Sequence, residues 1–484
     1  MYIYTSEQIK EADQLAETLG METFALMENA GSGLYRQLAP LLGKQDKVAI
    51  LSGKGNNGGD GIVLARYLKQ NGYDAELIFP LGLPKTKVAA RHFSYYKACG
   101  FKESPFLRER SYDWVVDGLL GVGAKLPLRE DLQAVVKWIN SRKAKVVAID
   151  VPTGVASDTG EADPNAVKAG YTFSLHGFKP SGFLYPSSFY FGKKRAIDIG
   201  LPQTGKWKVW TKQDVARTLP KRAGNVHKGT FGTGLLAAGS DNMPGSAALA
   251  AIGAIRMGIG KLSAYTTNGA KNVIAGMVPE ATYMERDFSN PAQCFQQKYA
   301  GIAIGPGLEP DEELEAFISQ ALELDVPVVL DAGALGNRTY PIRKAPVILT
   351  PHPGEFSRMT GIPAEKIAEN RIQLASRFAK EQQVVIVLKG QYTVIAFPDG
   401  SGVINPTGNG SLAKGGSGDT LTGMLLAAVC THEDMKAAVA NTVYIHGACA
   451  DAWVRENGSG TLAAHEFSQL LPKVMHEFEG QETI

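Results

Sequence analysis

Short runs of apolar residues recur along the chain, separated by polar or glycine-rich turns, and helical stretches follow most of the turns. The runs are continuous, which is typical of parallel strands that are buried on both faces. Alternation of such strands with helices predicts doubly wound α/β sheets. The predicted strands are residues 48–51, 75–79, 114–116, 146–149, 235–238, 301–304, 326–330, 347–349 and 384–388.

This pattern weakens between residues 177 and 218, where Pro180, Pro186 and Pro202 occur among many glycines. Proline and glycine enrichment of this kind is typical of a domain boundary. A chain of 484 residues also exceeds the length at which one hydrophobic core keeps growing. We therefore expect two α/β domains, residues 1–207 and 208–484.

Composition and charge narrow the choice of partners. The net charge is +2 and no long run of lysine or arginine occurs, so we expect no nucleic-acid partner. No apolar stretch reaches the ~18 residues of a membrane span, and no apolar segment typical of a secretion signal follows the first residues. Four cysteines without metal-binding spacing predict free thiols in a reducing compartment, and hence a cytoplasmic protein without a membrane partner.

Two glycine-rich turns of different design each place an aspartate at the start of an apolar helix. The first, GKGNNGGDG, covers residues 53–61, and the second, KGGSGD, covers residues 414–419. Backbone N–H groups of a glycine loop can approach an anion closely, and a helix N-terminus adds a favourable dipole. Two such turns predict two nucleotide-handling sites, one in each half of the chain.

The first turn departs from the dinucleotide-binding fingerprint because two asparagines occupy its middle. With their side chains the loop can hold a phosphate, a ribose or a hard cation, and the residues alone leave these alternatives open. A second glycine turn, DGLLGVGAKLP at residues 117–127, is expected to face it. Asp150 and Thr153 follow another predicted strand, and their oxygens, with asparagine carboxamides, suit an alkali or alkaline-earth ion.

In the second turn, residues 415–418 can present N–H groups to a phosphoryl group. Asp419 then stands where a base would meet a substrate hydroxyl, although it can equally be an N-cap. His352 lies between two prolines in a PHPGE turn, for which we favour a binding role over core packing. Three further histidines lie in helical segments and are expected to be structural or solvated: His92, His446 and His476.

Taken together, these strings resemble two known families. Residues 1–207 resemble the NAD(P)HX epimerase family through LMENAG (26–31), GKGNNGGDG, DGLLGVGAKLP and DVPTGV (150–155). From residue 208 onward the chain resembles the ribokinase-like NAD(P)HX dehydratase family. The matching strings are HKGTFGTGLLAAGS (227–240), GPGL (305–308), LTPHPGEF (349–356), KGQYTVI (389–395) and GGSGDTLTG (415–423).

The resemblance implies repair of nicotinamide cofactors whose ring has become hydrated. The epimerase would interconvert the R and S forms of hydrated NADH or NADPH. The dehydratase would remove water from the S form at the expense of ADP, releasing AMP and phosphate. The implied folds are a Rossmann-like sandwich and a ribokinase-like domain, and the implied assembly is a homo-oligomer.

For the epimerase half, the resemblance implies Asp150 as the catalytic residue, with Lys179 as a candidate helper. A potassium ion would be held by Asn57, Asp117 and Thr153, the last standing where the family commonly has serine. Besides Asp150, the implied substrate contacts are Asn56, Asn57, Gly58, Gly59, Asp60, Gly121, Val122, Gly123, Ala124, Lys125, Leu126 and Pro127.

For the dehydratase half, the resemblance implies Asp419 as the base, with magnesium accompanying the phosphates. Two departures affect the surroundings of Asp331: Gly333 stands where the family commonly has aspartate, and Glu309 stands where it often has glycine. The implied substrate contacts are Ala247, Gly307, His352 and Asp419. The implied contacts with ADP are Lys389, Gly390, Gln391, Tyr392, Thr393 and Gly418.

Two other functions are compatible with parts of the sequence. One is a kinase for a vitamin or sugar that carries an N-terminal nucleotide-binding domain. The other is a bifunctional arrangement in which the N-terminal domain senses the cofactor without catalysis. The presence of Asp150 together with the potential ion ligands argues against the sensor.

Overall fold

The computed structural model describes residues 1–221 and 224–479, and the chain divides into two compact units. The first comprises Met1–Lys208 with residues 368–370, and the second comprises the remainder. Both units are α/β. In the part of the chain that the structure describes, no helix is long and apolar enough to cross a membrane.

The first unit is built on a parallel sheet of six strands. Its elements are β1 (Tyr2–Ile3), α1 (Ser6–Thr18), α2 (Thr23–Leu38), β2 (Lys47–Ser52), α3 (Asn56–Gln70), β3 (Asp74–Ile78), α4 (Lys87–Ala98), β4 (Trp114–Gly118), α5 (Glu130–Asn140), β5 (Lys145–Ile149), β6 (Tyr171–Leu175), β7 (Lys193–Ile197) and β8 (Trp207–Val209). The sheet order is β3-β2-β4-β5-β6-β7, and β1 pairs with β8 in antiparallel orientation.

Both faces of this sheet are covered, which explains the continuous apolar runs. On β2, Val48 and Ile50 belong to the core that includes α1–α4. The intervening residues, Ala49 and Leu51, belong to a second core on the other face, formed with α5. Helices on both faces make this unit doubly wound, and the carboxyl ends of β2, β4 and β5 share one edge.

The second unit has a larger sheet with an antiparallel end. Its elements are α6 (Lys212–Thr218), β9 (Thr233–Ala237), α7 (Pro244–Arg256), β10 (Lys261–Thr266), α8 (Asn268–Met277), β11 (Thr282–Glu285), β12 (Gly301–Ile304), α9 (Glu312–Glu323), β13 (Val328–Leu330), β14 (Val347–Leu349), α10 (Pro353–Thr360), α11 (Ala364–Gln382), β15 (Val385–Leu388), β16 (Val394–Ala396), β17 (Gly402–Ile404), α12 (Ser417–Thr431), α13 (Met435–Glu456) and α14 (Phe467–Glu479).

Within this unit the strand order is β17-β16-β15-β14-β13-β12-β9-β10-β11. Strands β9–β15 pair in parallel, whereas β16 and β17 pair in antiparallel orientation. One face packs on α7, α12, α13 and α14 to form the main core. Helices α7 and α12 approach closely, and glycine at position 423 permits this approach. A Cβ on Gly423 would lie 1.7 Å from the Ala250 carbonyl oxygen.

Every predicted strand is present, with ends shifted by a few residues at most. Strand β7 was missed because it is an edge strand whose Lys193, Lys194 and Arg195 hide the apolar signal. Strands β6, β10 and β11 were also not predicted, because they mix polar and apolar residues. The hairpin strands β16 and β17 were not predicted because they are short. The prediction of doubly wound α/β architecture is confirmed.

Candidate functional sites

The loops after β2, β4 and β5 line a cavity of about 470 Å³ in the first unit. Eight of the predicted substrate contacts lie on its wall: Asn56, Asn57, Asp60, Gly121, Val122, Gly123, Ala124 and Asp150. Five others are not part of that wall: Gly58, Gly59, Lys125, Leu126 and Pro127. The wall also includes His176 and Lys179, together with residues of α1 and with Leu26, Met27 and Ala30 of the LMENAG string on α2.

The two glycine turns of this unit contact each other, as expected. The Asn57 side-chain amide donates a hydrogen bond to the Leu120 carbonyl at 2.9 Å. Gly58 is required at the start of α3, because a Cβ there would lie 2.0 Å from the Gly53 carbonyl oxygen. The role of Gly58 in the structure is therefore close packing of the turn.

Asp117 and Thr153 form a buried pair at the ends of β4 and β5. The Thr153 hydroxyl donates to Asp117 at 2.8 Å, and the Thr153 backbone N–H donates to its other oxygen at 2.8 Å. The Thr153 hydroxyl in turn accepts from the Leu120 backbone N–H at 3.1 Å. Burial raises the pKa of Asp117 to about 6, although these hydrogen bonds oppose the shift.

Asp150 lies directly after β5 in a left-handed conformation, with φ of 69°. Few residues other than glycine adopt this region, which marks a strained position. The Asp150 carboxylate accepts hydrogen bonds from the Leu175 backbone N–H at 3.1 Å and from the Lys179 ammonium group. Lys179 is only 1% exposed and also donates to the carbonyls of Leu175 and Gly177.

Asp60 contrasts with Asp150 although both line the same cavity. Its side chain is buried, and within residues 1–221 and 224–479 no hydrogen bond or ion pair holds its carboxyl group. Burial raises the pKa of Asp60 well above its usual range, and the negative charges of Asp150 and Asp13 add to the shift. Burial likewise raises the pKa of Asp13.

In the second unit, the KGGSGD turn leads into α12. Gly416 is the N-cap, with φ of 91°, and Asp419 is the third residue of the helix. The capping interpretation of Asp419 is therefore wrong, and its carboxylate is available for other contacts. A hydrogen bond with the Ser246 side chain of α7 is one of them.

The pKa of Asp419 is raised to about 6. Burial is the main cause, and the carboxylates of Asp331 and Glu355 contribute, whereas Ser246 and Lys389 oppose the shift. A carboxyl group poised near neutral pH suits general-base catalysis. These properties are compatible with the predicted role of Asp419, which stays a prediction.

Asp331 is the centre of a buried network beside Asp419. It accepts hydrogen bonds from Thr350 at 2.7 Å, from Thr422 at 2.8 Å and from the Lys389 ammonium group at 2.9 Å. Burial lowers the pKa of Lys389, but the charges of Asp331 and Glu355 outweigh it, and the net shift is upward. A buried ammonium held by two carboxylates can neutralise charge on a phosphoryl group.

The structure places the predicted substrate contacts of this unit on adjoining elements. Gly307 has φ of 69°, and a Cβ there would lie 2.9 Å from the Ser246 Cβ. Ala247, the next residue, is 1% exposed and packs against Gly239. His352 has a structural role that the sequence did not suggest: its ring nitrogen caps α10 by accepting from the N–H groups of Gly354 and Glu355.

Five of the predicted ADP contacts, residues 389–393, follow β15, and the sixth, Gly418, lies in the first turn of α12. Gly418 adjoins Lys389, since a Cβ on Gly418 would lie 3.3 Å from the Lys389 ammonium nitrogen. Gly390 packs against Arg371, whose guanidinium donates to the carbonyls of Leu388 and Lys389. Burial lowers the pKa of Arg371 to about 10. Sequence reasoning assigned no site role to Arg371, Thr350 and Thr422, because only the fold brings them to the site, whereas Glu355 belongs to the PHPGE turn that the sequence singled out.

Three other predicted ADP contacts lie at the end of this turn. Thr393 is buried, and its hydroxyl donates to the Gly390 carbonyl at 3.2 Å. Gln391 is exposed and Tyr392 is half-buried. The turn thus offers both backbone groups and accessible polar side chains to a ligand.

The departure at Gly333 has a steric reason. A Cβ at this position would lie 2.0 Å from the Leu308 carbonyl oxygen and 3.5 Å from the Glu309 backbone nitrogen. In this chain no side chain fits there without movement of the loop that carries Glu309. Asp331 keeps its three partners despite the missing carboxylate.

Comparisons with known proteins divide the chain in the same way. Residues 234–473 match a family described as NAD(P)H-hydrate dehydratase, and residues 23–181 match one described as YjeF-related protein N-terminus. A bifunctional NAD(P)H-hydrate repair enzyme from Moorella thermoacetica is 32% identical over 100% of this chain and 98% of its own. Another from Thermofilum pendens is 31% identical over 98% and 96%.

The second unit has nearer relatives. An ADP-dependent (S)-NAD(P)H-hydrate dehydratase from Bacillus subtilis is 54% identical over 56% of this chain and 98% of its own. A crystal structure of the ADP/ATP-dependent NAD(P)H-hydrate dehydratase from the same organism, co-crystallised with ATP/Mg²⁺, covers 56% of this chain and 99% of its own. It is 53% identical, with a TM-score of 0.55.

Proposed function

The chain belongs to the family of bifunctional NAD(P)H-hydrate repair enzymes, and we propose that each of its two units carries out one half of that repair. The first unit epimerises the R and S forms of hydrated NADH and NADPH. The second unit dehydrates the S form at the expense of ADP, releasing AMP and phosphate. One observation carries this proposal: each unit has its own buried, charged site at the end of a glycine-rich turn.

In the epimerase site, the Asp150 carboxylate, which Lys179 holds in place, supplies the negative charge that the reaction needs. Hydration of the ring places a hydroxyl on a carbon bonded to nitrogen, so inversion at that carbon passes through a species with positive charge on the ring nitrogen. A carboxylate fixed by Lys179 and by the Leu175 N–H is suited to stabilise that charge. The cavity of about 470 Å³ is large enough to hold the ring end of a dinucleotide.

The residues present fit a potassium ion. Asp117 is fully buried, and no lysine or arginine in the described chain forms an ion pair with it, so its negative charge lacks a protein counter-charge. Asn57 and Thr153 lie within the same hydrogen-bonded cluster. One carboxylate with neutral oxygens suits a singly charged hard cation. When bound, the ion would fix the two turns, while Asp150 and Lys179 contact the substrate.

In the dehydratase site, phosphorylation overcomes the poor leaving ability of hydroxide. Asp419 accepts the proton of the substrate hydroxyl as the phosphoryl group is transferred. Lys389 and the N–H groups at the start of α12 stabilise charge on that group. Phosphate then leaves from the ring carbon with the bonding electron pair, the adjacent ring carbon loses a proton to water, and the carbon–carbon double bond of NADH or NADPH forms. The reaction therefore ends with free phosphate.

ADP and magnesium are proposed as the donor and its metal because the Bacillus subtilis relative was co-crystallised with ATP/Mg²⁺. The carboxylates of Asp331 and Glu355 fit a metal-bound phosphate chain. When bound, magnesium would neutralise negative charge on the phosphate chain. Lys389 to Thr393 and Gly418 would contact the adenosine phosphate, and Ala247, Gly307 and His352 would contact the hydrated ring substrate.

A coupled assay tests the whole proposal. Mixed epimers of hydrated NADH are incubated with the full chain and ADP, and NADH absorbance and free phosphate are followed. We expect complete conversion, with one phosphate released per NADH. Conversion of the S fraction alone would show that the first unit is not an epimerase. Absence of conversion with both ADP and ATP would refute the function.

The two alternatives predict different results in the same assay. A vitamin or sugar kinase would leave a stable phosphorylated product and would release no phosphate upon addition of the hydrated cofactor. A cofactor sensor would bind the R form without converting it. Cytoplasmic location and a homo-oligomeric state also belong to the proposal; the four free cysteines support the former, and light scattering tests the latter.

A further inference from the structure

Two carboxyl groups on the cavity wall of the first unit have opposite environments. Asp150 is held in an ion pair with Lys179, whereas Asp60 is buried at 7% exposure without a hydrogen bond or ion pair in the described chain. An ionised carboxylate without a partner is costly to bury, so burial favours the protonated form of Asp60. Two carboxyl groups in such different environments can divide between them the roles of proton donor and charge stabiliser.

The packing of α3 fixes Asp60 in this environment. Glycines flank it on both sides, and each is needed for close approach. A Cβ on Gly59 would lie 2.4 Å from the Met27 sulfur, and one on Gly61 would lie 2.8 Å from the Ser52 hydroxyl. The tight packing of α3 against α2 and β2 therefore fixes the position of Asp60, whose carboxyl group lies at the cavity wall.

We propose that Asp60 is a second catalytic residue of the epimerase site, a proton donor to the ring hydroxyl of hydrated NADH or NADPH. This inference rests on the proposed function. The charged and titratable groups facing Asp60 are Asp150, Lys179 and Asp13, and His176 lines the same cavity. Asp13, on α1, and Asp150 favour the protonated form of Asp60, whereas Lys179 opposes it.

The step balances without a further reactant. The Asp60 proton passes to the hydroxyl oxygen, and the carbon–oxygen bond breaks with its electron pair leaving in water. The lone pair of the ring nitrogen forms a carbon–nitrogen double bond, whose positive charge Asp150 stabilises. Water then adds to the other face of the carbon, the ring nitrogen regains its lone pair, and the added water returns a proton to Asp60.

The test measures epimerisation alone, with the full chain, the purified R form and no ADP, across a pH series from which the spontaneous rate is subtracted. We expect Asp60→Asn to lower kcat by about 10²–10⁴-fold with little change in KM. Asp60→Glu should retain part of the rate. In the wild type, kcat should fall as the pH rises through the pKa of Asp60, because the proton is lost. Asp13→Asn should move this fall to lower pH by removing a negative charge.

Reaction in H₂¹⁸O gives an independent measurement. The proposed step predicts that each turnover introduces one solvent oxygen at the inverted carbon. Epimerisation without ¹⁸O uptake would overturn the step, and a raised KM with unchanged kcat in Asp60→Asn would reduce Asp60 to a binding residue. ADP-dependent dehydration of the S form reports on the second unit of each variant. An inactive wild type would instead refute epimerisation itself.

Discussion

Asp150 and Lys179 form an ion pair that is almost completely buried at the wall of the first unit's cavity. Lys179 also donates to two backbone carbonyls, and Asp150 accepts from a backbone N–H. The pair is thus fixed by the backbone on both sides. A charge held in this way is already oriented for the transition state.

Asp150→Asn tests that role. The amide has nearly the shape of the carboxylate but no charge, so epimerisation should fall by about 10²–10⁴-fold while the R form still binds. Conversion of R to S is measured by chromatography, and binding by protein fluorescence. The dehydratase rate on the S form is the internal control. An unchanged epimerisation rate would favour the sensor or another catalyst.

Asp419→Asn tests the base of the dehydratase. The pKa of Asp419 is raised to about 6, and only its ionised form accepts a proton. The wild-type kcat/KM should therefore decline as the pH is lowered through about 6. The variant should lose about 10²–10⁴-fold in rate and should lack this decline. A variant whose residual rate keeps the same pH profile would assign the profile to another group.

The sequence predicted those features of the fold that leave a pattern within one short segment of the chain. Continuous apolar runs predicted the strands because burial on both faces leaves that pattern in one segment, whereas the charged edge strand β7 did not show it. The glycine-rich turns predicted where both candidate sites lie, because each turn is also a pattern within one short segment. The resemblance to the two repair families is confirmed by the comparisons. The roles of individual site residues stay predictions.

Interactions between distant segments could not be predicted in this way. Asp331, Lys389 and Thr422 meet only through the folded sheet, and no local pattern marks Thr422 as a partner. The same holds for Asp60, whose sequence context predicted a ligand contact. Its burial without a partner depends on how α3 packs in the folded unit, and the local sequence does not predict that packing.

His446→Ala tests whether the α12 turn is positioned from α13. A ring nitrogen of His446 lies 3.0 Å from the Ser417 carbonyl, and burial lowers the pKa of His446 to about 4, so the ring is neutral and donates. Loss of this bond should displace the turn and lower kcat of dehydration by up to about 10²-fold. His446→Gln, which can still donate, should recover much of the rate. Equal losses in both variants would contradict the positioning role.

Gly333→Ala tests the steric reason why this chain has glycine where the family commonly has aspartate. A Cβ there would lie 2.0 Å from the Leu308 carbonyl oxygen, so we expect a loss of about 1–3 kcal/mol in the free energy of unfolding. Gly276→Ala in α8 is the matched control, because nothing lies within 4 Å of its Cβ. Calorimetry should show a lowered Tm for the first variant only. Equal Tm values would mean that the loop moves freely.

Replacement of the monovalent cation tests the proposed potassium site. Asp117 is fully buried with Thr153 as its main hydrogen-bond donor, so a cation should be the missing counter-charge. Epimerisation should fall when K⁺ is replaced by Li⁺, because the much smaller ion needs shorter contacts with its oxygen ligands than K⁺ does. Thr153→Val removes the hydroxyl and should raise the K⁺ concentration for half-maximal rate. Thr153→Ser keeps the oxygen and should behave as the wild type, and a Thr153→Val variant with unaltered K⁺ dependence would exclude this ligand set.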